Sequence, residues 1–266
     1  MLSKIKHLTL GIFAFIILSA CSTSPTGRSQ ILLFSDNQLS QMSEQTFNAM
    51  KSEIKISNKS IENNYVICIA KHITQQLPDS VFSGNWEVVV FDDPQANAFA
   101  MPGGKIGVYT GLLEVASNQH QVAAVIGHEV GHVIAQHGNE RMSRSALISA
   151  GAQATSAALD AYNVENKATI MQAFGIGAQY LGILPFSREH ESESDLIGLE
   201  LMARAGFDPR ESVQLWINMS AANEGKAPPE WASTHPSSET RIRQLNANMS
   251  SALSIYDEVS NKPTCK

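Results

Sequence analysis

The pentapeptide His128-Glu129-Val130-Gly131-His132 constrains this chain more than any other feature, because it sits in an almost wholly aliphatic, alanine or glycine stretch from Val122 to Ala135. Such a stretch reads as a buried helix. Two imidazoles and a carboxylate facing an apolar interior would be costly unless they were paired or bound to a metal. Four residues make about one helical turn, so both His side chains leave the same face and can hold one ion. Zn²⁺ accepts two such nitrogens, and the Glu after the first His is then placed to take a proton from a water held by that ion.

The third ligand must come from elsewhere. The pattern H-E-x-x-H-x-x-G-x-x-H would require Gly at 135 and His at 138, where this chain has Ala135 and Gly138. His137 falls one residue short and on another face, which suits a helix-end or supporting group. A Glu about twenty residues downstream is also missing, since no carboxylate lies between Glu140 and Asp160. That leaves the acidic segment Ser187 to Asp195. With Ser187 as N-cap and Gly206 as C-cap, residues 188–205 read as one helix. At about 100° per residue, Glu191 and Asp195 share a stripe with Gly198, Leu199, Met202 and Ala205. Glu189, Glu193, Glu200 and Arg204 fall on the opposite, solvated side. Glu191 is therefore expected as the third ligand. Asp195, one turn on, is expected to orient a ligand His through its second nitrogen, with a buried salt bridge to an Arg as the alternative.

These residues resemble peptidase family M48, the HtpX and CAAX-prenyl-protease-like gluzincins. The match rests on His128-Glu-Val-Gly-His132 followed by Glu191-x-x-x-Asp195. Asn97-Ala-Phe-Ala-Met-Pro-Gly-Gly104, with Ile106 to Leu113 after it, is similar to the strand motif that precedes the zinc helix in that family. Thr234-His-Pro236 with Arg241 resembles its C-terminal His-Pro and downstream Arg, and Thr26-Gly-Arg-Ser-Gln30 resembles a soluble branch that includes periplasmic lipoproteins. The resemblance implies an α+β, mainly helical zincin-type domain whose small sheet lines the active-site cleft with an edge strand. It implies one Zn²⁺ per chain and an endopeptidase acting on polypeptides, with Glu129 as general base. The strand Asn97, Ala98, Phe99, Ala100 and Met101 would bind substrate by edge addition. His235 and Arg241 are expected to stabilise the oxyanion; His235 could alternatively be an inhibitory fourth zinc ligand or a surface turn residue.

Lys4 and Lys6 precede an apolar run from Leu8 to Leu18, and Leu18-Ser-Ala-Cys21 reads as a lipobox. The run is shorter than the roughly twenty apolar residues of a spanning helix, so a cleaved signal over 1–20 is expected. Lipidation of Cys21 would anchor the chain, with 21–35 as tether and 36–266 as a single metallopeptidase domain. Ser22 after the Cys, by resemblance to enterobacterial sorting, suggests a periplasm-facing outer-membrane anchor, where envelope quality control and outer-membrane assembly complexes are the expected context. Nineteen Lys and Arg against 25 Asp and Glu, a net charge of −6, argue against a nucleic-acid partner. Cys68 and Cys265 remain. A disulfide between them is expected in an oxidising compartment, and a buried free thiol at Cys68 is the competing reading.

Helices are expected at about 36–54, 63–77, 118–137, 188–205, 209–222 and 237–249, a strand at 86–91, and a hairpin around Pro102-Gly-Gly104. The Ala-, Gly- and Ser-rich segment 145–183 reads as a helical pair or as a mobile lid. Gly127 and Gly131, one turn apart, each cost about 1 kcal/mol relative to Ala. Something therefore packs close to that face, and the sheet is the expected neighbour. Two other classes compete: a client-binding lipoprotein using the same groove without cutting, and a structural zinc protein, which would want four protein ligands.

Overall fold

The computed structural model describes residues 21–177, 184–221 and 239–266. The chain groups into two compact units: residues 36–135 with 190–266, which carry the H-E-x-x-H segment, and residues up to 35 with 136–189. Its elements are β1 (Cys21–Thr23), β2 (Ser29–Ile31), α1 (Asp36–Glu53), α2 (Ser60–Thr74), β3 (Glu87–Phe91), β4 (Ala98–Met101), β5 (Lys105–Tyr109), α3 (Thr110–Val115), α4 (Gln119–Ile134), α5 (His137–Ala161), α6 (Lys167–Gly177), α7 (Leu184–Arg204), α8 (Glu211–Ala221) and α9 (Glu239–Glu258). The fold is α+β and mostly helical, as expected.

In the larger unit a three-stranded sheet has the order β3-β5-β4. The β-branched run of β3 pairs in parallel with β5, Glu87 opposite Lys105 and Phe91 opposite Tyr109. β4 pairs antiparallel with β5, Met101 opposite Lys105 and Ala98 opposite Val108, which leaves β4 as an outer strand. The turn between them needs left-handed backbone at Gly103 (φ 80°) and Gly104 (φ 72°), which glycine adopts without a Cβ clash. Alternation along β4 divides its side chains. Ala98 and Ala100 join the main core, while Phe99 packs against the cluster of Phe47, Phe91 and Tyr109. α4 lies on β4 and also packs on α2 and α8.

α4 begins where Asn118 Oδ1 accepts from His120 N (2.9 Å) and Gln121 N (3.0 Å), an N-cap. Every residue from Gln121 to His132 is buried. The helix ends sooner than expected: Gln136 is left-handed (φ 53°) and a new helix, α5, starts at His137. α7 starts at Leu184, so Ser187 lies inside the helix and not at its cap. It ends at Gly206 (φ 81°), with Gly206 N on Ala203 O (3.0 Å) and Phe207 N on Met202 O (2.9 Å), a Schellman stop.

α4 and α7 touch backbone to backbone. A Cβ on Gly198 would lie 2.7 Å from His128 N, one on Gly127 would lie 2.9 Å from Gly198 O, and one on Gly131 would lie 2.9 Å from Ser194 O. The neighbour at the two α4 glycines is thus α7, not the sheet. Ser194 adds a hydrogen bond from its Oγ to His128 O (2.5 Å). This contact also corrects the expected facing of Glu193, which is 4% exposed and not solvated. Around Glu193 the helix is buried on several sides, since His190, Glu191, Ser194 and Asp195 are buried too. A single polar stripe therefore does not describe this half of α7, whereas Glu189 and Glu200 are exposed.

Cys68 on α2 and Cys265 form a disulfide spanning 197 residues. The C-terminal segment also reaches the first residue of α4: Gln119 Nε2 donates to Pro263 O (2.9 Å), and Cys265 N donates to Gln119 Oε1 (2.8 Å).

In the smaller unit the segment expected as a tether contains a hairpin, β1 paired with β2, turned at Gly27 (φ 92°). Arg28 donates to both oxygens of buried Glu140 on α5 at 2.7 Å, and Gln30 Nε2 donates to the same carboxylate at 3.1 Å. Leu33 N donates to Ser143 Oγ (2.8 Å), and Asn139 Nδ2 donates to Phe34 O (2.8 Å). Backbone groups of an otherwise irregular strand are thus satisfied by side chains of α5. α5 and α6 pack on each other, giving the helical pair of the small-residue segment up to Gly177; residues 178–183 lie outside the described residues.

Gly198→Ala is expected to destabilise the protein by about 1–3 kcal/mol, because its methyl meets rigid backbone. Gly138→Ala, where nothing lies within 4 Å, should be neutral or slightly stabilising. Denaturant midpoints of the two variants check this; equal midpoints would contradict the close seam.

Candidate metal centre

The close approach of α4 and α7 brings three donors from two distant segments together. His132 Nε2 lies 3.1 Å from His128 Nε2, His128 Nε2 lies 3.3 Å from Glu191 Oε2, and His132 Nε2 lies 3.4 Å from Glu191 Oε1. All three side chains are buried. The two imidazoles stand nearly perpendicular (87°) with their nitrogens facing each other. Two neutral imidazole nitrogens gain little from such proximity unless a proton or a cation lies between them. The edge of a tetrahedron around an ion with bonds of about 2.0–2.1 Å is about 3.3–3.4 Å. The donor set among the described residues, two imidazoles and a carboxylate, and its spacing fit an ion such as Zn²⁺.

Asp195 and Arg241 complete the cluster. His128 Nδ1 is 2.9 Å from Asp195 Oδ1, which orients the ring and leaves Nε2 as the donor atom. Arg241 donates from Nε to Asp195 Oδ2 (2.5 Å) and from Nη2 to Asp195 Oδ1 (2.6 Å), and its Nη1 is 3.1 Å from Glu191 Oε2. Both expectations for Asp195, the His partner and the buried salt bridge, are therefore realised together. Arg241 is expected at the oxyanion; in this arrangement each of its three nitrogens faces a carboxylate oxygen, two on Asp195 and one on Glu191. Trp216 lies against the guanidinium, whose carbon is 4.0 Å from the ring centre.

The electrostatics follow from this arrangement. Burial pushes the His128 imidazole down, but hydrogen bonds to Asp195 and Glu191 outweigh it and raise the pKa to about 9 in the metal-free site. Burial pushes Asp195 up, and Arg241 with His128 outweighs it, so the carboxylate is held below its usual range.

Glu129 is buried (5% exposed) in the same turn of α4. Asn97 to Met101 form or adjoin β4, the outer strand packed on α4. His235 lies outside the described residues, and Cys21 stands at the start of β1. Some contributors were not singled out from the sequence. Trp216 carries no motif. Ser194 and Gly198 repeat on α7 the four-residue spacing of Gly127 and Gly131, a signal that was present but unpaired. Arg28 lies in the Thr26 to Gln30 motif, whereas its partner Glu140 belongs to none.

Metal-free protein is expected to take up one Zn²⁺ and to release protons as it does so, because His128 carries a proton below about pH 9 and must lose it to bind. Affinity should fall as pH drops below that value, by up to about tenfold per unit for each proton displaced. Calorimetry in buffers of different ionisation enthalpy reads the proton count. Glu191→Ala should lose most of the bound zinc and Glu189→Ala should keep it; the reverse result would refute the ligand set.

The comparisons with known proteins agree with this geometry. The model for peptidase family M48 matches residues 60–249. The mitochondrial metalloendopeptidase OMA1 of Schizosaccharomyces pombe is 40% identical over 162 residues, covering 60% of this chain and 45% of that protein. The mitochondrial metalloendopeptidase OMA1 of Bos taurus is 30% identical over 273 residues, covering 95% of this chain and 50% of the relative. The beta-barrel assembly-enhancing protease of Escherichia coli is 25% identical over 244 residues, covering 90% of this chain and 49% of that protein. The chain spans about half the length of these relatives. With His128, His132 and Glu191 converging inside the matched region, the chain belongs to peptidase family M48.

Proposed function

We propose that this protein is a zinc endopeptidase of the bacterial cell envelope that cleaves misfolded or unassembled envelope proteins. The observation that carries the catalytic part is the buried donor triangle of His128, His132 and Glu191 with Glu129 in the same helical turn. When bound, Zn²⁺ supplies Lewis-acid polarisation of the scissile carbonyl and makes water more acidic at neutral pH. Glu129 takes the proton of the attacking water and delivers it to the leaving amine nitrogen. Asp195 holds His128 with Nδ1 turned away from the donor position. His235 is the candidate donor to the oxyanion, which would place part of the catalytic work in the segment before α9.

Substrate selection follows from β4. An outer strand offers backbone N–H and C=O groups to an extended peptide, and such pairing reads little side-chain identity. That suits a protease for unfolded clients, and the name of the Escherichia coli relative, a beta-barrel assembly-enhancing protease, fits an envelope setting. The lipobox ending at Cys21 supports attachment to the membrane through a lipidated cysteine on the periplasmic side of the outer membrane. Among the described residues no helix is long and apolar enough to cross a membrane.

Glu129→Gln is expected to abolish cleavage of an unfolded protein such as casein while zinc content and thermal unfolding stay as in the parent, because a base and not a ligand is removed. Full activity in that variant would sink the mechanism. Cys21→Ala should shift the protein from the membrane to the soluble fraction and remove labelling by a fatty-acid analogue; unchanged fractionation would refute the anchor.

A further inference from the structure

The donor triangle is held from behind by two side chains that the proton transfers do not use. Trp216 on α8 and Arg241 on α9 are both almost wholly buried, at 3% and 2% exposure. The guanidinium carbon of Arg241 stands 4.0 Å from the centre of the Trp216 ring. In its own plane the same guanidinium grips Asp195 with two nitrogens and approaches Glu191 with the third. Asp195 in turn holds His128. One ring therefore lies against one cation, and that cation contacts one metal donor directly and a second donor through a carboxylate.

We propose that Trp216 and Arg241 are positioning residues for the metal centre, and that together they set how tightly it holds its ion. The inference rests on the metal reading above. In-plane hydrogen bonds fix where a guanidinium lies but resist its tilting only weakly; an aromatic face against it blocks the tilt and attracts the charge. Arginine is needed for this task because its planar fork reaches two oxygens of one carboxylate and an oxygen of another at fixed angles, which a lysine ammonium cannot do. Trp216 also limits the space open to water. It walls a cavity of about 20 Å³ together with His128, Asp195, Met202 and Leu245, enough for about one water molecule. Truncating the ring would enlarge that space beside the Arg241–Asp195 pair and let solvent screen it.

Changing Trp216 is the informative test because it leaves every charge in place. Removing Arg241 would mix a lost orientation with a gained attraction between two uncovered carboxylates and the metal. The full chain is compared as parent, Trp216→Leu, Trp216→Phe and Ile73→Ala, the last a core change on α2 that lowers stability without touching the platform. Zinc dissociation constants come from competition with a chromophoric chelator, at a temperature where circular dichroism shows each protein folded. Trp216→Leu should weaken zinc binding by about 10- to 100-fold. Trp216→Phe, which keeps an aromatic face, should recover most of that loss, and Ile73→Ala should bind as the parent does despite a lower Tm. If Trp216→Leu does not fold, Arg241→Lys carries the same expectation, since it keeps the charge and loses the fork. Parent-like affinity in Trp216→Leu, or an equal loss in Ile73→Ala, would overturn the inference. A parent protein that binds no zinc would instead overturn the metal reading on which it rests.

Discussion

Everything chemical in this protein depends on two helices touching through their backbones. His128 and Glu191 are 63 positions apart in number, and their side chains meet only because α4 and α7 carry no Cβ, or only a small side chain, at Gly127, Gly131, Gly198 and Ser194. Larger residues would separate the helices to the 8–10 Å typical of packed pairs, and the donor triangle would open with them. The conformational cost of glycine inside a helix, about 1 kcal/mol each, is offset by the packing and by the ligand geometry it permits. Ser194 ties the seam further by donating to the carbonyl of His128, so the residue that supplies a donor nitrogen is also fixed at its main chain.

A second dependence is electrostatic. Glu191, Asp195 and Arg241 are all buried, which none of them would tolerate alone. Together they form a compact set in which one guanidinium faces two carboxylates and both of those carboxylates face imidazole nitrogens. The metal-free site is therefore already arranged, with the His128 pKa raised to about 9 by the carboxylates around it. A preorganised donor set binds its ion without first having to order three side chains, and it discriminates by geometry. The segment 24–34 is secured by the same means: Arg28 and Gln30 on the buried Glu140 carboxylate.

The sequence by itself pointed to the metal centre. H-E-x-x-H inside an apolar run names a helix and a pair of metal-binding imidazoles, because burial leaves such residues few other uses. The 3.6-residue period was enough to select Glu191 and Asp195 from a crowded acidic segment, and Pro102-Gly-Gly104 marked the hairpin that makes β4 an outer strand. Local rules worked where the determinant was local: a cap, a turn, a stripe of one helix.

Only the tertiary structure decided which surfaces meet. Periodicity placed Glu193 on a solvated face because it assumes one buried side per helix, yet the first half of α7 is covered on more than one. The glycines of α4 announced a close neighbour without saying that it was α7 and not the sheet, since a missing Cβ carries no address. Arg241 could be chosen for its charge, but its three nitrogens could be assigned to Asp195 and Glu191 only when α9 was seen beside α7. Trp216 carried no signal at all, because an indole packed on a guanidinium looks, in sequence, like any other core aromatic. Long-range partners are set by how helices pack, and no single helix encodes its packing alone.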